Sequence, residues 1–395
     1  MSPIKTLLVG ILLLSPYGDA KQNPQTDLTA PTLDRNQQLL MRVQHLIDQF
    51  YVESVEPQAL LDGALKGMLE VLDGHSGYLQ PQTLALLQDN NRGHYYGYGI
   101  EVAADNDQIR IITPLAGSAA AAAGVQPGDI LLQVDDLIAS AKQLEPLVAY
   151  IKQSSIDDRT IRLVLQRNAQ EAPLQLQIAP SPITVNSSSW DVLDEQVGYI
   201  KISSFTHRTA SEVHRSAQAF AQLPLSGLVL DLRNNPGGLL ESAVQVADMF
   251  LKEGVIVTTH GRFYEANTDY HANQRTFFNG LPTVVLINQG SASAAEILAG
   301  ALQDRGRATL MGERTYGKGT VQSLIPLVGY GGAIKLTTAH YATPKGTFID
   351  QHGIMPDMPL SIPPKVNNIV RTMETPWQWK HDPQLFAAFD YLTED

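Results

Sequence analysis

The spacing of apolar residues divides the chain into an amino-terminal helical part and two parts that contain strands. Between residues 36 and 90 apolar residues recur every three or four positions, which is the period of an amphipathic helix. Two helices are predicted here, with apolar faces formed by Leu39, Val43, Leu46, Ile47 and Phe50, and by Leu61, Ala64, Leu65, Met68 and Leu72. The second helix ends at the turn "DGHSGYL", so the segment is predicted to be a helical hairpin.

A module of short alternating strands is predicted from residue 91 to about residue 180. Its centre holds a run of alanines that Gly124 closes as a helix C-cap, followed by a "QPGD" turn into the strand "ILLQV". A second helix, over Lys142 to Gln153, precedes the strand "RTIRLVLQR". We assign these residues to one separate module.

Residues 181–360 alternate buried strands with helices. The apolar runs "GLVLDL" and "TVVLI" are typical of strands buried on both faces, and each leads through a loop into a helix. This order predicts an α/β core with a largely parallel sheet, in which functional groups gather in loops at the carboxyl ends of strands. The loops "RNNPGG", residues 233–238, and "NQGSASAAE", residues 288–296, are both of this kind. Residues 361–395 are predicted to be a helical tail.

The amino terminus has the pattern of a secretory signal. Lys5 precedes an apolar stretch over residues 7–14, and small residues follow up to Ala20. This stretch is too short to span a bilayer core of roughly 30 Å. We therefore expect residues 1–20 to be cleaved and the chain to reach the periplasm or cell envelope. Residues 21–35 are polar, contain two prolines and are predicted to be a flexible leader.

Charge and composition exclude several kinds of chemistry. The formal charge is −12 and no long basic run occurs, which argues against a nucleic-acid partner. The chain has no cysteine, so disulfides, thiolate nucleophiles and cysteine-bound metals are excluded. No spacing of histidines or carboxylates suggests a metal cluster, and no metal or other cofactor is expected.

Two loops of the α/β core carry candidate catalytic residues. Ser293 and Glu296 form an S-x-x-E capping box, so Ser293 could serve only to start a helix. Lys318, however, lies between Gly317 and Gly319 just after a buried strand, and a merely solvated lysine needs neither glycine. A lysine buried in an apolar site can lose its proton and act as a base, and such a base can activate a serine.

These loops resemble the active-site region of the carboxyl-terminal processing proteases, which are serine peptidases of the S41 type. The resemblance rests on "GSASAAEILAGALQDRGRATLMGERTYGKGTVQ", "DLRNNPGGLL" and "HYATPKGTFIDQHGIMPD", and it covers residues 40 to 360. It implies that Ser293 is the nucleophile, Lys318 the general base and Gln322 a residue that orients the lysine. It also implies an oxyanion hole formed by the backbone N–H groups of Gly238 and Ala294.

The resemblance extends to the strand module, where "GYGIEV" and "AAAGVQPGDILLQVDD" are similar to a PDZ domain inserted in these proteases. It implies that the N–H groups of Tyr98, Gly99 and Ile100 hold the terminal carboxylate of a substrate protein, while the following strand pairs with its last residues. Gly74 and Ala295 depart from the family pattern, which usually has proline and serine there. Neither is part of the proposed chemistry.

The expected function is that of an exported serine endopeptidase that selects proteins by their free carboxyl termini and cleaves them through an acyl-enzyme. Two alternatives remain open: a catalytically silent PDZ scaffold, and an exported esterase or amidase that uses the same serine and lysine. A serine-histidine arrangement with His340 or His75 is a further alternative. The physiological substrates, an activating adaptor protein and homo-oligomerisation also remain open.

Overall fold

The computed structural model describes residues 35–105, 107–115, 117–167, 172–273, 276–278, 280–361 and 379–394. The chain separates into two compact units, residues 1–64 and residues 65–395. The predicted signal, and the predicted leader up to residue 34, lie outside the described residues.

Helices and strands alternate along the described residues much as the apolar pattern predicts. The helices are α1 (Arg35–Phe50), α2 (Pro57–Glu70), α3 (Pro81–Asn91), α4 (Ala119–Ala122), α5 (Leu144–Ile156), α6 (Thr209–Phe220), α7 (Leu240–Asp248), α8 (Ala294–Asp304) and α9 (Pro383–Thr393). The strands are β1 (Gly77–Leu79), β2 (His94–Gly97), β3 (Ile100–Asp105), β4 (Gln108–Pro114), β5 (Ile130–Val134), β6 (Leu137–Ile138), β7 (Ile161–Gln166), β8 (Leu174–Ile178), β9 (Ser181–Thr184), β10 (Ser188–Leu193), β11 (Val197–Ile202), β12 (Gly227–Asp231), β13 (Val255–Gly261), β14 (Thr268–His271), β15 (Thr283–Ile287), β16 (Thr309–Gly312), β17 (Thr320–Pro326), β18 (Ala333–Ala342) and β19 (Met358–Pro359).

The first unit consists, in its described part, of α1 and the first turns of α2. Both predicted helices form. Several apolar side chains on the predicted face of α1, such as Leu39 and Phe50, are largely exposed to solvent. The period of the apolar residues therefore predicts the helix here without revealing what covers its apolar face.

The strand module folds as an antiparallel sheet in the order β3-β4-β5-β7-β8, with β6 paired to β5. Alternate residues of its strands enter one apolar core, which includes Ile109, Ile111, Leu131, Ile161 and Leu163. The chain enters and leaves the module through the antiparallel pair β2 and β9. Strand β3 pairs only with β4 among the described strands, so one of its edges is open.

The main sheet of the second unit has the order β10-β11-β12-β15-β16-β19 and is parallel from β11 onward. Helices α6, α7 and α8 share one apolar core with one face of this sheet, where Leu228 and Leu230 lie. Helix α9 packs with Val229 and Leu286 on the opposite face. The α/β class and the inserted strand module predicted from the sequence are therefore confirmed.

Three loops leave the carboxyl ends of neighbouring parallel strands and converge because of this topology. Residues 232–239 follow β12, residues 288–293 follow β15, and residues 313–319 follow β16. A second sheet, β1-β18-β13-β14, receives the chain beyond the third loop, since β17 pairs with β18. The loops "RNNPGG" and "NQGSASAAE" thus lie beside the loop that carries Lys318.

Candidate active site

Ser293 stands at the start of α8 in a backbone conformation that L-residues rarely adopt, with φ 56° and ψ −117°. Such a conformation costs about 1–3 kcal/mol and persists only where surrounding contacts enforce it. Here the Ser293 N–H donates to Glu296 Oε2 at 2.8 Å, and the preceding Ala292 N–H donates to the Asn235 carbonyl oxygen at 2.9 Å. Glu296 thus makes the capping-box bond to the Ser293 N–H, and this serine is also the strained residue of the loop.

The "NNPGG" loop lies directly against Ser293. Gly237 has φ +103°, and a Cβ added there would lie 2.8 Å from Ser293 Cβ and 3.0 Å from the Ala294 nitrogen. A Cβ added at Gly238 would lie 2.1 Å from the Phe205 carbonyl oxygen. Both positions therefore require glycine, because the loop packs between the start of α8 and Phe205, in the segment after β11.

The N–H groups of the two predicted oxyanion donors, Gly238 and Ala294, have no hydrogen-bond acceptor among the described residues. Ala294 is the first residue of α8, where backbone N–H groups lack a helical partner and carry the positive end of the helix dipole. The assignment of both groups to an oxyanion hole stays a prediction, but these N–H groups are available to a ligand.

Lys318 is held in a loop that packs closely against residues 350–353. A Cβ at Gly319 would lie 2.4 Å from the Asp350 nitrogen, and one at Gly317 would lie 3.0 Å from the Gly353 nitrogen. The two glycines thus allow a neighbouring backbone segment to approach the loop. Burial, together with the positive charge of Lys335, lowers the pKa of Lys318, which favours the neutral amine that a general base requires.

Glu296 joins the serine and lysine loops, and sequence reasoning gave it no such role. Its buried carboxylate accepts hydrogen bonds from the N–H groups of Ser293 and Lys318, both to Oε2, at 2.8 and 2.9 Å. It also accepts from Thr315 Oγ1 at 2.5 Å and from the Gly317 N–H at 2.7 Å. Because both backbone nitrogens bond to the same oxygen, the nucleophile and base candidates are neighbours in the fold.

Burial raises the pKa of Glu296, and the hydrogen bonds that the carboxylate accepts oppose the rise. The S-x-x-E motif predicts its bond to Ser293 alone. The bonds to residues 315–318 depend on the tertiary fold, and no local pattern reveals them.

Tyr341 is a second buried link between the same two loops. Its hydroxyl donates to the Lys318 carbonyl oxygen, and its own N–H donates to the Gly319 carbonyl oxygen at 2.9 Å. Burial and the charge of Glu296 raise the pKa of Tyr341 well above its ordinary value, while a hydrogen bond with the Ser293 side chain opposes the rise. The phenol therefore keeps its proton and can serve both loops as a neutral hydrogen-bonding group.

Gln322, on β17, is not bonded to Lys318 in the described part of the structure. Its amide nitrogen lies 2.9 Å from Thr320 Oγ1 and 3.5 Å from Thr337 Oγ1. A β-bulge between Val321 and Gln322 precedes this position. The role of Gln322 in orienting the lysine stays a prediction, and this conformation alone does not supply the contact.

The histidine alternatives receive little support. His340 is exposed on β18 while its neighbour Tyr341 is buried, so the two side chains point to opposite faces of the strand. Since the Tyr341 hydroxyl reaches Lys318, the His340 ring faces away from that loop. His75 lies in a turn where its N–H donates to Asp73 Oδ1 at 2.7 Å.

The predicted carboxylate loop of the strand module has open donors beside an open strand edge. The carbonyl groups of Tyr98 and Gly99 accept hydrogen bonds from Ala120 and Leu115 at 3.0 and 2.8 Å, whereas their N–H groups donate to none of the described residues. Gly99 has φ +77°, and a Cβ there would lie 2.1 Å from Ser118 Cβ. Ile100 then begins β3, whose open edge can pair with a peptide.

The described residues contain no group of three or more histidine, aspartate or glutamate side chains that could hold a metal ion. No helix in this part of the chain is long and apolar enough to cross a membrane.

This combination defines a class of protein: an α/β core with a strained serine at a helix start, N–H donors beside it that are free in the described part of the chain, and a module of antiparallel strands with one open edge. Comparison with protein-family models agrees. Peptidase family S41 matches residues 196–360, the PDZ domain matches residues 86–166, and the activating protease CtpB N-terminal domain matches residues 17–83.

Known proteins are similar over most of the chain. A carboxy-terminal-processing protease of Bartonella bacilliformis is 39% identical over 79% of this chain and 72% of its own length. Carboxy-terminal processing protease CtpB of Bacillus subtilis is 32% identical over 86% of this chain and 71% of its own. The solved photosystem II D1 C-terminal processing protease is 28% identical, with a TM-score of 0.52 over 86% of this chain and 98% of that chain. The chain therefore belongs to the carboxyl-terminal processing proteases of peptidase family S41, with an inserted PDZ domain.

Proposed function

We propose that this protein is an exported serine endopeptidase that selects proteins by their carboxyl termini and cleaves them with Ser293 and Lys318. The observation that carries the proposal is the Glu296 carboxylate, which binds the backbone N–H of both residues. This buried carboxylate keeps a strained serine beside a lysine of lowered pKa, and catalysis requires that a nucleophile and its base be held together in this way. The names of the relatives, which describe carboxy-terminal processing, support the same function.

In the proposed reaction the neutral Lys318 amine accepts the hydroxyl proton of Ser293 as the Ser293 oxygen attacks a peptide carbonyl. The N–H groups of Gly238 and Ala294 stabilise the negative oxygen of the tetrahedral intermediate. Collapse of that intermediate breaks the peptide bond, and the Lys318 ammonium returns the proton to the leaving amine. Lys318 then activates a water molecule that hydrolyses the acyl-enzyme and releases Ser293.

The PDZ domain supplies selection in this proposal. The N–H groups of Tyr98, Gly99 and Ile100 would receive the terminal carboxylate of the substrate, and β3 would pair with its last residues. The Gln322 side chain now donates a hydrogen bond to Thr320. In this proposal it would turn toward Lys318 and complete the site. Substrate engagement is a natural trigger for that change. Export to the periplasm or envelope, an adaptor and self-association belong to the same proposal.

Cleavage of an unfolded reporter protein that ends in apolar residues tests the proposal. Wild type is compared with Ser293→Ala and Lys318→Ala, with Ser211→Ala and Lys345→Ala as controls on exposed residues. Fragments are identified by mass, with and without EDTA. We expect EDTA-resistant cleavage that both active-site variants abolish and both controls retain.

A second arm separates the alternatives. Amidation of the reporter's carboxyl terminus should slow its cleavage if the PDZ domain selects free ends, whereas an esterase or amidase would turn over small esters without that dependence. If cleavage persists in Ser293→Ala, the proposed chemistry is wrong. A wild type that cleaves nothing, even with envelope extract added, would favour the silent scaffold.

A further inference from the structure

Helix α9 lies outside the residues matched by the S41 family model, yet it is part of the main sheet's core. The match ends at residue 360, and α9 covers Pro383–Thr393. Its side chains Leu385, Ala388 and Leu392 pack in one buried cluster with Val229 and Leu286 of the two strands that precede the active-site loops. The helix therefore covers the face of the sheet opposite α8.

Residues at the start of α9 bind Arg233, which lies at the base of residues 232–239, here called the oxyanion loop because they contain Gly238. Arg233 Nη1 and Nη2 donate to the two carboxylate oxygens of Asp382 at 3.0 and 2.7 Å, and Nη1 also donates to Gln384 Oε1 at 3.0 Å. The remaining guanidinium donors bind the buried Asp231 at 2.8 and 3.0 Å. Arg233 is only 8% exposed and Asp231 is fully buried, while Asp382 remains partly exposed.

Gln384 reaches the base of the lysine loop as well. Its amide nitrogen donates to the Leu360 carbonyl oxygen at 2.5 Å, and the Leu360 N–H donates to the Gly312 carbonyl oxygen at 2.8 Å. Gly312 ends β16 and begins the loop that carries Lys318, and a Cβ at Gly312 would lie 3.5 Å from the Gln384 amide nitrogen. The start of α9 thus touches the roots of both loops.

We propose that Asp382 and Gln384 are positioning residues that hold the oxyanion and lysine loops in register, an inference that rests on the proposed protease function. From Arg233 the chain passes through Asn234, at φ 59°, and reaches Gly238 five residues after Arg233. A displaced guanidinium would therefore displace the oxyanion donor. Buried ionic groups often contribute little net stability compared with apolar replacements, so a network with this placement is better explained by orientation than by stability.

The test is the double variant Asp382→Asn, Gln384→Met, made in the full chain. Asparagine caps a helix as well as aspartate does, so α9 keeps its N-cap while the charge that pairs with Arg233 is lost. Methionine keeps approximate volume and removes both amide hydrogen bonds. Asp390→Asn, on the exposed side of the same helix, is the matched control.

Two readouts are measured: kcat and KM for reporter cleavage, and amide hydrogen exchange. We expect kcat to fall about 10- to 100-fold with KM changed less than about twofold, because a small misplacement of catalytic groups is costly. We also expect faster exchange confined to residues 232–239 and 312–319, where amides such as Gly237 and Lys318 are hydrogen-bonded.

Exchange and kcat equal to those of Asp390→Asn would overturn the proposal, as would faster exchange spread evenly over the α/β core, which indicates a purely structural role. If the wild type cleaves no reporter, the proposed function fails, but the exchange pattern still decides whether α9 positions the two loops.

Discussion

Replacing Glu296 by glutamine tests whether one carboxylate aligns the catalytic residues. The carboxylate receives four hydrogen bonds, three from backbone N–H groups and one from the Thr315 hydroxyl. A glutamine amide can keep its oxygen toward Ser293 and Lys318, and the Thr315 hydroxyl can turn to accept from the amide nitrogen. The Gly317 N–H would then face another N–H group, and this buried donor would lose its acceptor.

A buried donor left without an acceptor costs about 1–3 kcal/mol. The Gly317 N–H precedes Lys318 by one residue, so the loop relieves this cost by moving the lysine. At about 1.4 kcal/mol per factor of ten, we expect Glu296→Gln to lower kcat by about 10- to 100-fold. The free energy of unfolding should fall by a similar 1–3 kcal/mol, since Glu296 is fully buried.

The assay is steady-state cleavage of a reporter peptide, together with urea unfolding of the same preparations. Glu313→Gln, in the loop that carries Lys318 and partly exposed, is the control for loss of a negative charge near the site. A Glu296→Gln variant with the wild-type kcat and stability would refute the reasoning, because the four hydrogen bonds would then have no energetic role. A loss of stability without a loss of kcat would assign the carboxylate to folding alone.

Three further substitutions test other parts of the site. Lys335→Gln removes the charge that helps to lower the pKa of Lys318, so that pKa should rise and the acidic limb of the kcat-pH profile should move to higher pH; an unmoved limb would contradict Lys318 as the base. Gly237→Ala places a Cβ 2.8 Å from Ser293 Cβ and should reduce kcat by about 100-fold. The control Gly306→Ala is also at positive φ but in open space, so it should lower the free energy of unfolding by about 1 kcal/mol and leave kcat unchanged. Gly99→Ala should raise KM for proteins with free carboxyl termini in the same cleavage assay, and equal KM values for wild type and variant would argue against the PDZ loop assignment.

The periodic features of the sequence predict most of the fold correctly. Continuous apolar runs become β12 and β15 because their residues face α-helices on both sides of a parallel sheet. The capping box marks the start of α8 at Ser293, since that motif acts within one helical turn. Each of these signals involves residues within a few positions of one another, so the sequence alone reveals the element that it specifies.

The contacts that join the loops could not be predicted in the same way. The glycines beside Lys318 suggest a special loop, but the close approach of residues 350–353 that requires them belongs to a segment some thirty residues away. Arg233 meets Asp382 across 149 positions of sequence. The sequence around Arg233 does not distinguish a buried, ion-paired arginine from a solvent-exposed one. Only the packing of α9 on the sheet brings Arg233 and Asp382 together.

The strained serine explains why so many buried polar groups surround this site. A residue at φ 56° costs about 1–3 kcal/mol. The burial that lowers the pKa of Lys318 adds a further penalty, because it disfavours the charged form that a lysine keeps in water. Neither would persist on a loop free to relax. Glu296 and Tyr341 hold the serine and lysine loops from inside the core. The start of α9 contacts the bases of the oxyanion and lysine loops from the other side of the sheet. The supporting groups therefore have to be rigid and buried, and buried neighbours come from different elements of the fold. For this reason the supporting residues are far apart in the sequence, while the catalytic candidates lie in short motifs.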